Sequence, residues 1–437
     1  MIQTKDKFGF WSIVLLGING IVGTGIFLLP NKAYAMVGTA SLGVLFFDAI
    51  LAVFIALCFA EAASFFKRNG GPYLYAKHAL GDFAGYEVGV LKWIVTLIAW
   101  ATMAVGLATV IQSAIPALAG DFYKNVLATF IVAILTGVNL MGVSVSKVLS
   151  NVMTVAKLVP LILFIAIGAF FINGSNFTLV LSTESVETGS IASAALLLFF
   201  AYTGFEALAV AAEDMENPKK NLPKAIVVTM ILVTFIYMAI LAVCIGVMGP
   251  DLASSKTPIQ DAFQEILGPV GMYIVFAGTF LSMLGINMAE AFYAPRISTA
   301  LAQDGMVPAF FDKRNKHDVP YIAAIITCVL TILLTWTGSF TQLAAISAIS
   351  RFTQMVPTIL AVIIFRKRWP HKERSYKIPF GITIPVIAIL ITLWMISNAT
   401  MTQIIWGLGG IVVIAPFYYF YWDKKRKGLI QETDDLD

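Results

Sequence analysis

The sequence predicts an all-α protein that crosses a membrane many times. Of its 437 residues, 59% are hydrophobic and only 12% are charged, whereas a soluble domain carries about 25% charged residues. The mean hydropathy is +0.86, and the apolar residues form runs of about 20, the length that a helix needs to cross a bilayer. Two of these runs are interrupted by glycines, at Gly23 and Gly204. This composition argues against a soluble enzyme.

The apolar runs predict twelve spans. No soluble domain fits between them, because the connecting segments are short. The longest outside loop covers about residues 173–190. We place the spans at residues 8–34, 41–66, 83–112, 123–142, 150–172, 191–212, 224–248, 270–300, 320–337, 342–365, 378–397 and 403–422.

The basic residues predict the orientation. With the N-terminus in the cytoplasm, 23 of the 29 lysine and arginine residues fall in cytoplasmic segments, and only Lys32, Lys124 and Lys256 fall outside. Cytoplasmic loops of membrane proteins carry such an excess of basic residues. We therefore expect a multi-pass protein of the plasma membrane, in contact with the lipid bilayer, with both termini in the cytoplasm and a cytoplasmic tail at 423–437.

The two glycine interruptions predict broken helices. The first is Ile21-Val22-Gly23-Thr24-Gly25, and the second is Tyr202-Thr203-Gly204-Phe205-Glu206. Each glycine costs about 1 kcal/mol of helix propensity, and free backbone at membrane depth is tolerated only where it is buried in protein or lines a cavity. Paired broken helices indicate a transporter binding site. The alternative is that the glycines form a small-residue packing face.

The positions of the breaks predict an inverted repeat. Five spans precede the span of the second break, and the first break lies in the first span of its own group. Because five is odd, the two groups cross the bilayer in opposite directions. We expect one repeat at residues 1–172, a second at 191–365, and two further spans at 378–422.

The first break suits a zwitterion. A half-helix beginning near Thr24 presents unpaired N–H groups, and with those of Gly23 and Gly25 they can bind a carboxylate. Glycine permits close approach, and the Thr24 hydroxyl is a further donor. The half-helix that ends near Ile21 presents free carbonyl groups, which suit an ammonium group.

The second break completes the predicted site. The carbonyl groups of Phe200, Ala201 and Thr203 end the preceding half-helix and face the same ammonium group. Tyr202 and Phe205 flank the break, and we interpret them as an aromatic lid and a side-chain wall. The alternative for both rings is ordinary core packing.

Two charged side chains are candidates for coupling and gating. Thr203 and Glu206 have the spacing of a capping box, and Glu206 is alternatively a proton-sensitive gate. Lys157 lies about 10 Å into the fifth span, where it either extends back to the interface or points inward. We favour the inward direction, in which Lys157 binds and releases a coupling proton.

The remaining polar residues within spans carry weaker signals. We expect them to form cytoplasmic-side gates or interhelix pairs, with Glu61 close enough to the inner end to be solvated. They are Asp48, Glu61, Asn287, Glu290 and Arg351. The three histidines and three cysteines lack metal-site spacing, which disfavours a membrane enzyme, and no repeated filter motif indicates a channel.

Four motifs resemble the amino acid–polyamine–organocation (APC) superfamily. Gly23-Thr24-Gly25-Ile26-Phe27 resembles its first-span signature, and Gly204-Phe205-Glu206-Ala207 its sixth span. Two loop segments are also similar to those of the superfamily: Asn69-Gly70-Gly71-Pro72-Tyr73 after the second span, and Pro295-Arg296 through Asp304-Gly305-x-x-Pro308 after the eighth. The motifs occur in the family's order and cover nearly the whole chain.

This resemblance implies a LeuT-like fold of five plus five inverted spans that transports α-amino acids by alternating access. It implies substrate contacts at the two breaks, and it matches Lys157 to a fifth-span lysine of the cationic, L-type and bacterial permeases, near a vacated sodium site beside Gly20. That lysine occurs in proton symporters and in obligatory exchangers. We expect a bacterial symporter of neutral amino acids, with exchange as the alternative and a channel as a remote one.

Few cofactors or partners are expected. The coupling ion is predicted to be a proton, with no sodium or other metal site. The eukaryotic L-type relatives hold an accessory subunit through a disulfide in an outer loop, but no cysteine of this chain falls in an outside segment. We expect no disulfide-linked subunit and no nucleic acid partner.

Overall fold

The polypeptide folds almost entirely into helices, as the composition predicts. The structure, a computed structural model, describes residues 9–66, 71–142, 147–177, 188–206, 218–372, 374 and 376–428. No β-strand occurs in these ranges. The α-helices there are α1 (Phe10–Ile21), α2 (Thr24–Leu28), α3 (Pro30–Val37), α4 (Ser41–Ala63), α5 (Pro72–Leu80), α6 (Asp82–Ala114), α7 (Asp121–Leu140), α8 (Lys147–Gly168), α9 (Thr188–Tyr202), α10 (Pro218–Met248), α11 (Pro258–Leu267), α12 (Pro269–Gln303), α13 (Tyr321–Thr335), α14 (Phe340–Arg368), α15 (Thr383–Ser397), α16 (Met401–Ile414) and α17 (Tyr418–Arg426).

Many of these helices have the length and composition of membrane spans. Among the described residues, seven segments are long and apolar enough to cross a bilayer: Pro30–Ala63, Asp82–Ala114, Asp121–Leu140, Lys224–Ser254, Pro269–Gln303, Phe340–Arg368 and Met401–Arg426. Five shorter apolar helices accompany them: Phe10–Ile21, Val155–Phe171, Ser190–Tyr202, Tyr321–Thr335 and Thr383–Ser397. The helices agree with a polytopic membrane protein, while the count of twelve spans stays a prediction.

The first predicted span is broken at the predicted place. α1 ends at Ile21, the next two residues are extended, with Val22 at ψ 100° and Gly23 at φ −142°, and α2 begins at Thr24. A second boundary follows at Pro30, which starts α3. Proline suits a first helical position because its missing N–H has no intrahelical partner there. The predicted span therefore contains three helices and extends beyond residue 34.

The second interruption also lies where the sequence places it. α9 ends at Tyr202, and Gly204 has φ +113°. This backbone conformation is accessible to glycine because it lacks a Cβ atom. The predicted half-helix that follows extends to residue 212, and its part from residue 207 onward lies outside the described residues.

Two helices outside the predicted spans cover the ends of the helical bundle. α5 begins at Pro72, after Gly71 with φ +61°, and packs against α6 and α14. α11 begins at Pro258 and packs against α10, α12 and the short α2. The sequence analysis did not assign either helix. α11 covers α2, the half-helix that follows the first break, and so encloses the break on that side.

The broken helices lie inside the helical bundle. α1 packs against α10, α9 packs against α4 and α14, and α12 packs against α6 and α8. All five residues of α2 are buried. The backbone that follows the first break is therefore surrounded by protein, as membrane depth requires.

Glu61 corrects one expectation. We expected a cytoplasmic-side gate, an interhelix pair or a solvated group. Its side chain is fully buried near the end of α4, so the solvated alternative is wrong. Its carboxylate accepts hydrogen bonds from Arg366 at 2.7 and 2.5 Å, from Arg374 at 3.0 Å and from the Ile378 amide at 2.7 Å. The basic loop after α14 folds over this end of α4, so the buried carboxylate has enough donors to offset its lost hydration.

Candidate functional site

The two breaks are in direct contact with each other. A Cβ atom added at Gly204 would lie 2.2 Å from the carbonyl oxygen of Gly20, and one added at Gly25 would lie 2.7 Å from the Cα of Ala201. Neither position has room for a side chain. The glycines are therefore required where α1 and α2 cross the end of α9, and the breaks predicted separately from sequence form one site.

Lys157 points inward and holds the first break. Its side chain is only 1% exposed. Its ammonium group donates hydrogen bonds to the carbonyl oxygens of Asn19 at 2.7 Å and Val22 at 2.8 Å. Since α1 ends at Ile21, these are carbonyl groups that the interrupted helix leaves without an intrahelical donor. The lysine does not extend back to the interface, while its role in coupling stays a prediction.

Tyr237 joins the two breaks and was missed by the sequence analysis. It lies on α10, is fully buried, and its hydroxyl oxygen is 3.0 Å from the carbonyl oxygen of Ile21 and 3.1 Å from that of Ala201. The single hydroxyl proton donates to either carbonyl group. In the sequence it is one aromatic residue in an apolar run, so nothing distinguished it from core packing.

Glu206 and Thr203 do not form the expected capping box. The Thr203 hydroxyl donates back to the Phe200 carbonyl at 2.7 Å, and the Glu206 carboxylate accepts from the Gly204 amide at 2.9 Å, not from the Thr203 amide. The positive φ of Gly204 turns the chain away from helical geometry between the two residues. Glu206 still satisfies a free amide at the break.

Glu206 also forms an ion pair within the predicted membrane region. Its partner is Arg351 on α14, and the two side chains are 18% and 15% exposed. Glu290 on α12 lies close enough to interact electrostatically with both, and Lys92 on α6 interacts with Glu206. Electrostatic interactions therefore link Glu206, just after α9, to charged groups on α6, α12 and α14, and its contact with Arg351 supports the expectation of an interhelix pair for Arg351.

The surroundings of the first break are mainly apolar. The Thr24 hydroxyl lies 2.9 Å from the Met103 sulfur. A Cβ atom at Gly23 would meet the Ile286 side chain at 2.9 Å, and one at Gly106 would meet the Thr24 methyl group at 3.0 Å. The Phe200 ring packs 6.2 Å from that of Phe340. Such side chains favour an uncharged group beside Thr24.

Tyr202 and Phe205 both pack into the core. The Tyr202 ring lies 5.3 Å from the Tyr237 ring on α10, and the Phe205 ring lies 6.0 Å from the Phe59 ring on α4. Both residues are at most 1% exposed. These contacts fit the packing alternative, and the roles of lid and side-chain wall stay predictions.

The two sides of the site differ in exposure. α2 is buried throughout, whereas Gly20 on the other side of the break is exposed.

A cavity of about 330 Å³ opens near the first half of α6, lined by Tyr73, Lys92, Tyr293, Arg296 and Asp304 among others. In the predicted orientation this is the cytoplasmic side.

No metal site emerges from the geometry. Among the described residues, no group of three or more histidine, cysteine, aspartate or glutamate side chains is positioned to hold an ion. The Lys157 ammonium group instead occupies the space beside the carbonyl groups of the first break.

Comparison with known proteins decides the family. A family model described as "Amino acid permease" matches residues 8–421, almost the entire chain. The chain belongs to the amino acid permease family. This places it in the APC superfamily, in agreement with the four sequence motifs.

Relatives of this permease from Bacillus subtilis (strain 168) align along nearly its full length. It is 30% identical to "Branched-chain amino acid permease BcaP", covering 98% of this chain and 95% of the relative. It is 27% identical to "Methylthioribose transporter" (97% and 96% covered) and 25% identical to "Serine/threonine exchanger SteT" (97% and 98% covered). All three names describe transport proteins, not enzymes.

Tyr237→Phe tests the link between the two breaks in this permease. The substitution removes the hydroxyl group that donates to the Ile21 or Ala201 carbonyl oxygen. Loss of one such hydrogen bond costs about 1–1.5 kcal/mol of free energy. We expect substrate affinity or uptake to fall about fivefold to tenfold in reconstituted vesicles. Tyr273→Phe, at a position 61% exposed, is the matched control. Equal uptake by the two variants would contradict the assigned role.

The Glu206–Arg351 pair predicts non-additive effects of substitution. Removing one partner leaves the other charge partly buried without its counter-ion, which lowers the free energy of unfolding by about 1–3 kcal/mol. We expect Arg351→Gln to lower the melting temperature in detergent, and the Glu206→Gln, Arg351→Gln double variant to be more stable than Arg351→Gln alone. Additive effects in this double-mutant cycle would show that the ion pair contributes nothing.

Proposed function

We propose that the protein is a secondary active transporter that carries neutral L-amino acids across the plasma membrane by alternating access. One observation supports this most strongly: two broken helices from distant parts of the chain meet at Gly20–Gly204 and Gly25–Ala201, inside the bundle. Free amide and carbonyl groups are therefore available at one place, where a zwitterion needs both.

The substrate's charged groups are assigned to the backbone of the breaks. The carboxylate binds the amide groups of Gly23, Thr24 and Gly25. The ammonium group binds the carbonyl groups of Ile21 and Ala201 at the ends of α1 and α9, whose oxygens have a second lone pair beside the one that faces the Tyr237 hydroxyl. Met103 and Ile286 beside Thr24 leave an apolar environment for the substrate side chain. A neutral side chain is favoured there because a charge would be desolvated without a partner.

The relatives support the substrate class. The name of one relative includes branched-chain amino acids, and that of another includes serine and threonine; all of these are neutral. The methylthioribose transporter among the relatives shows that the family resemblance alone does not fix the substrate. We assign a neutral amino acid on the apolar surroundings of Thr24.

The membrane arrangement is part of the proposal. We assign twelve spans in two inverted repeats of the LeuT-like kind, with two further spans at the end and both termini in the cytoplasm of a bacterial cell. Support comes from the basic residues of the inside segments. Each predicted span also contains at least one helix of the described chain.

Proton symport is the favoured mechanism. Lys157 is buried, and its ammonium group is bonded to backbone carbonyl groups at the first break, so a change in its protonation alters the contacts of the substrate site directly. Obligatory exchange is the second candidate because one full-length relative is named an exchanger. In an exchanger, Lys157 acts as a fixed tether between α8 and α1.

A two-by-two transport assay tests these proposals. Purified protein in liposomes is given labelled alanine, with internal unlabelled amino acid present or absent and an inward proton gradient present or absent. Uptake into empty vesicles that rises with the gradient supports symport. Uptake only into preloaded vesicles, whatever the gradient, supports exchange.

Competition experiments define the substrate. An excess of unlabelled leucine, serine, lysine or glutamate is added to the same vesicles. Competition by the neutral amino acids alone supports the proposed class, and competition by lysine or glutamate overturns it. Absence of transport for all amino acids would overturn the amino acid proposal itself.

A further inference from the structure

Asp48 is a buried carboxyl group on the face of α4 that points toward the second break. It lies seven residues after the start of α4 at Ser41, and its side chain is fully buried. Phe59 lies on the same face, because eleven residues make just over three complete turns of a helix. The Phe59 ring contacts the Phe205 ring beside the break.

The carboxyl oxygens of Asp48 have no hydrogen-bond partner among the described residues. This distinguishes Asp48 from Glu61, which accepts bonds from two arginines, and from Glu206, which pairs with Arg351. A buried carboxylate without a cation or donor is unfavourable by several kcal/mol, whereas a neutral carboxylic acid avoids most of that cost. Asp48 therefore carries its proton in this conformation.

Polar groups connect Asp48 to the substrate site. The Tyr202 phenol, at the end of α9, lies close enough to interact electrostatically with Asp48 and lies beside the Thr234 hydroxyl. The Tyr202 ring packs 5.3 Å from the Tyr237 ring. The Tyr237 hydroxyl reaches the carbonyl groups at both breaks. A movement of the end of α9, which carries Tyr202 and packs against α4, therefore changes the surroundings of Asp48.

Among the described residues, the helices around α4 bring no unpaired charged group to Asp48. The helix α4 packs against α9, α10, α14, α15 and α3, with a weaker contact to α5. Tyr202 on α9 interacts electrostatically with Asp48, Tyr237 on α10 packs against the Tyr202 ring, and α15 has no ionisable residue. The charged groups of the remaining elements lie elsewhere: Lys32 on α3 is exposed, Arg351 and Arg366 on α14 pair with Glu206 and Glu61, and Lys77 and His78 lie at the inner end of α5.

We propose that Asp48 is a proton-binding site of the transport cycle, additional to Lys157, that is protonated in this conformation and releases its proton when the broken helices rearrange. The O–H bond of the acid breaks, the proton passes to water, and the carboxylate regains a proton from water in the return step. This inference rests on the proposed transport function, because it assigns the proton a place in that cycle.

Infrared difference spectroscopy tests the protonation state without a transport assay. The spectrum of Asp48→Asn is subtracted from that of the wild type, both as full chains in lipid at neutral pH. We expect a carboxylic acid C=O band in the difference spectrum, because asparagine copies the shape of the neutral acid. Absence of that band in folded protein would overturn the proposal.

A matched carboxyl variant controls for specificity. Glu87 on α6 is also buried, and its carboxyl oxygens also lack a partner among the described residues. Glu87 lies near the start of α6, which begins at Asp82, and is assigned no part at the breaks. We expect Glu87→Gln to leave the Asp48 band and the pH dependence of transport unchanged. An equal effect of both substitutions on pH dependence would overturn the assignment to Asp48.

The transport readout separates proton coupling from a merely structural role. If one bound proton is required, wild-type uptake into empty vesicles falls about tenfold per pH unit where that proton is lost. We expect Asp48→Asn to make this slope at least about twofold shallower, with any remaining pH dependence due to Lys157, and to retain exchange in preloaded vesicles. An unchanged slope would overturn the proposal. If the wild type moves no amino acid, the proposed function fails, and the infrared band still decides the protonation of Asp48.

Discussion

Gly204→Ala is expected to abolish transport. The added Cβ atom would lie 2.2 Å from the Gly20 carbonyl oxygen, and the backbone has φ +113°. The left-handed conformation alone costs a residue with a side chain about 1–2 kcal/mol, and the collision is with backbone that cannot rotate away. With at least about 2 kcal/mol lost, uptake should fall more than about 30-fold. Initial rates in reconstituted vesicles measure the effect.

Two glycines on unbroken helices serve as controls for Gly204→Ala. Gly43 on α4 and Gly137 on α7 have no atom within 4 Å of an added Cβ. Alanine is a better helix former than glycine by about 1 kcal/mol, so Gly43→Ala and Gly137→Ala should retain full uptake. The amount of folded protein is compared by size-exclusion chromatography. If Gly204→Ala were as active as these controls, the contact between the breaks would not be needed for transport.

Lys157→Met is expected to reduce uptake about 100-fold. The substitution removes two charge-assisted hydrogen bonds, to Asn19 and Val22, each contributing about 1.5–3 kcal/mol. A net loss of about 2.7 kcal/mol corresponds to that factor. The two carbonyl groups lose a donor in a buried site, so the geometry of the first break is also expected to relax.

The same variant distinguishes the two proposed mechanisms. If Lys157 carries a coupling proton, Lys157→Met loses gradient-driven uptake more than exchange in preloaded vesicles. If it is only a tether, both fall together. Lys256→Met, at an exposed position of the loop before α11, is the matched lysine control and should transport normally. Wild-type rates in Lys157→Met would show that the lysine has neither role.

Both breaks were predictable because their signals are local. Gly23 and Gly25 interrupt a single apolar run, and glycine disfavours a helix whatever surrounds it. Gly204 marks the second break in the same way, and its backbone has the positive φ that glycine adopts readily. Lys157 was also identifiable, since a lysine within an apolar run requires a partner or a route to water.

Partners of the charged groups were not predictable. Glu61 was expected to be solvated and is instead buried under the loop after α14. Asp48 was expected to form a cytoplasmic-side gate or an interhelix pair, and its carboxyl oxygens have no hydrogen-bond partner among the described residues. Thr203 and Glu206 fit a capping pattern that the turn at Gly204 prevents. Each result depends on contacts between segments far apart in sequence.

The sequence by itself determined that this protein is an all-α membrane protein with two interrupted apolar runs, because hydropathy and glycine positions act within one helix at a time. Only the tertiary structure decided that Tyr237 reaches both breaks, that Arg351 pairs with Glu206 and that Asp48 has no partner among the described residues. Helix periodicity shows which residues share a face, but not which helix packs against that face. The partner of each polar group depends on that packing.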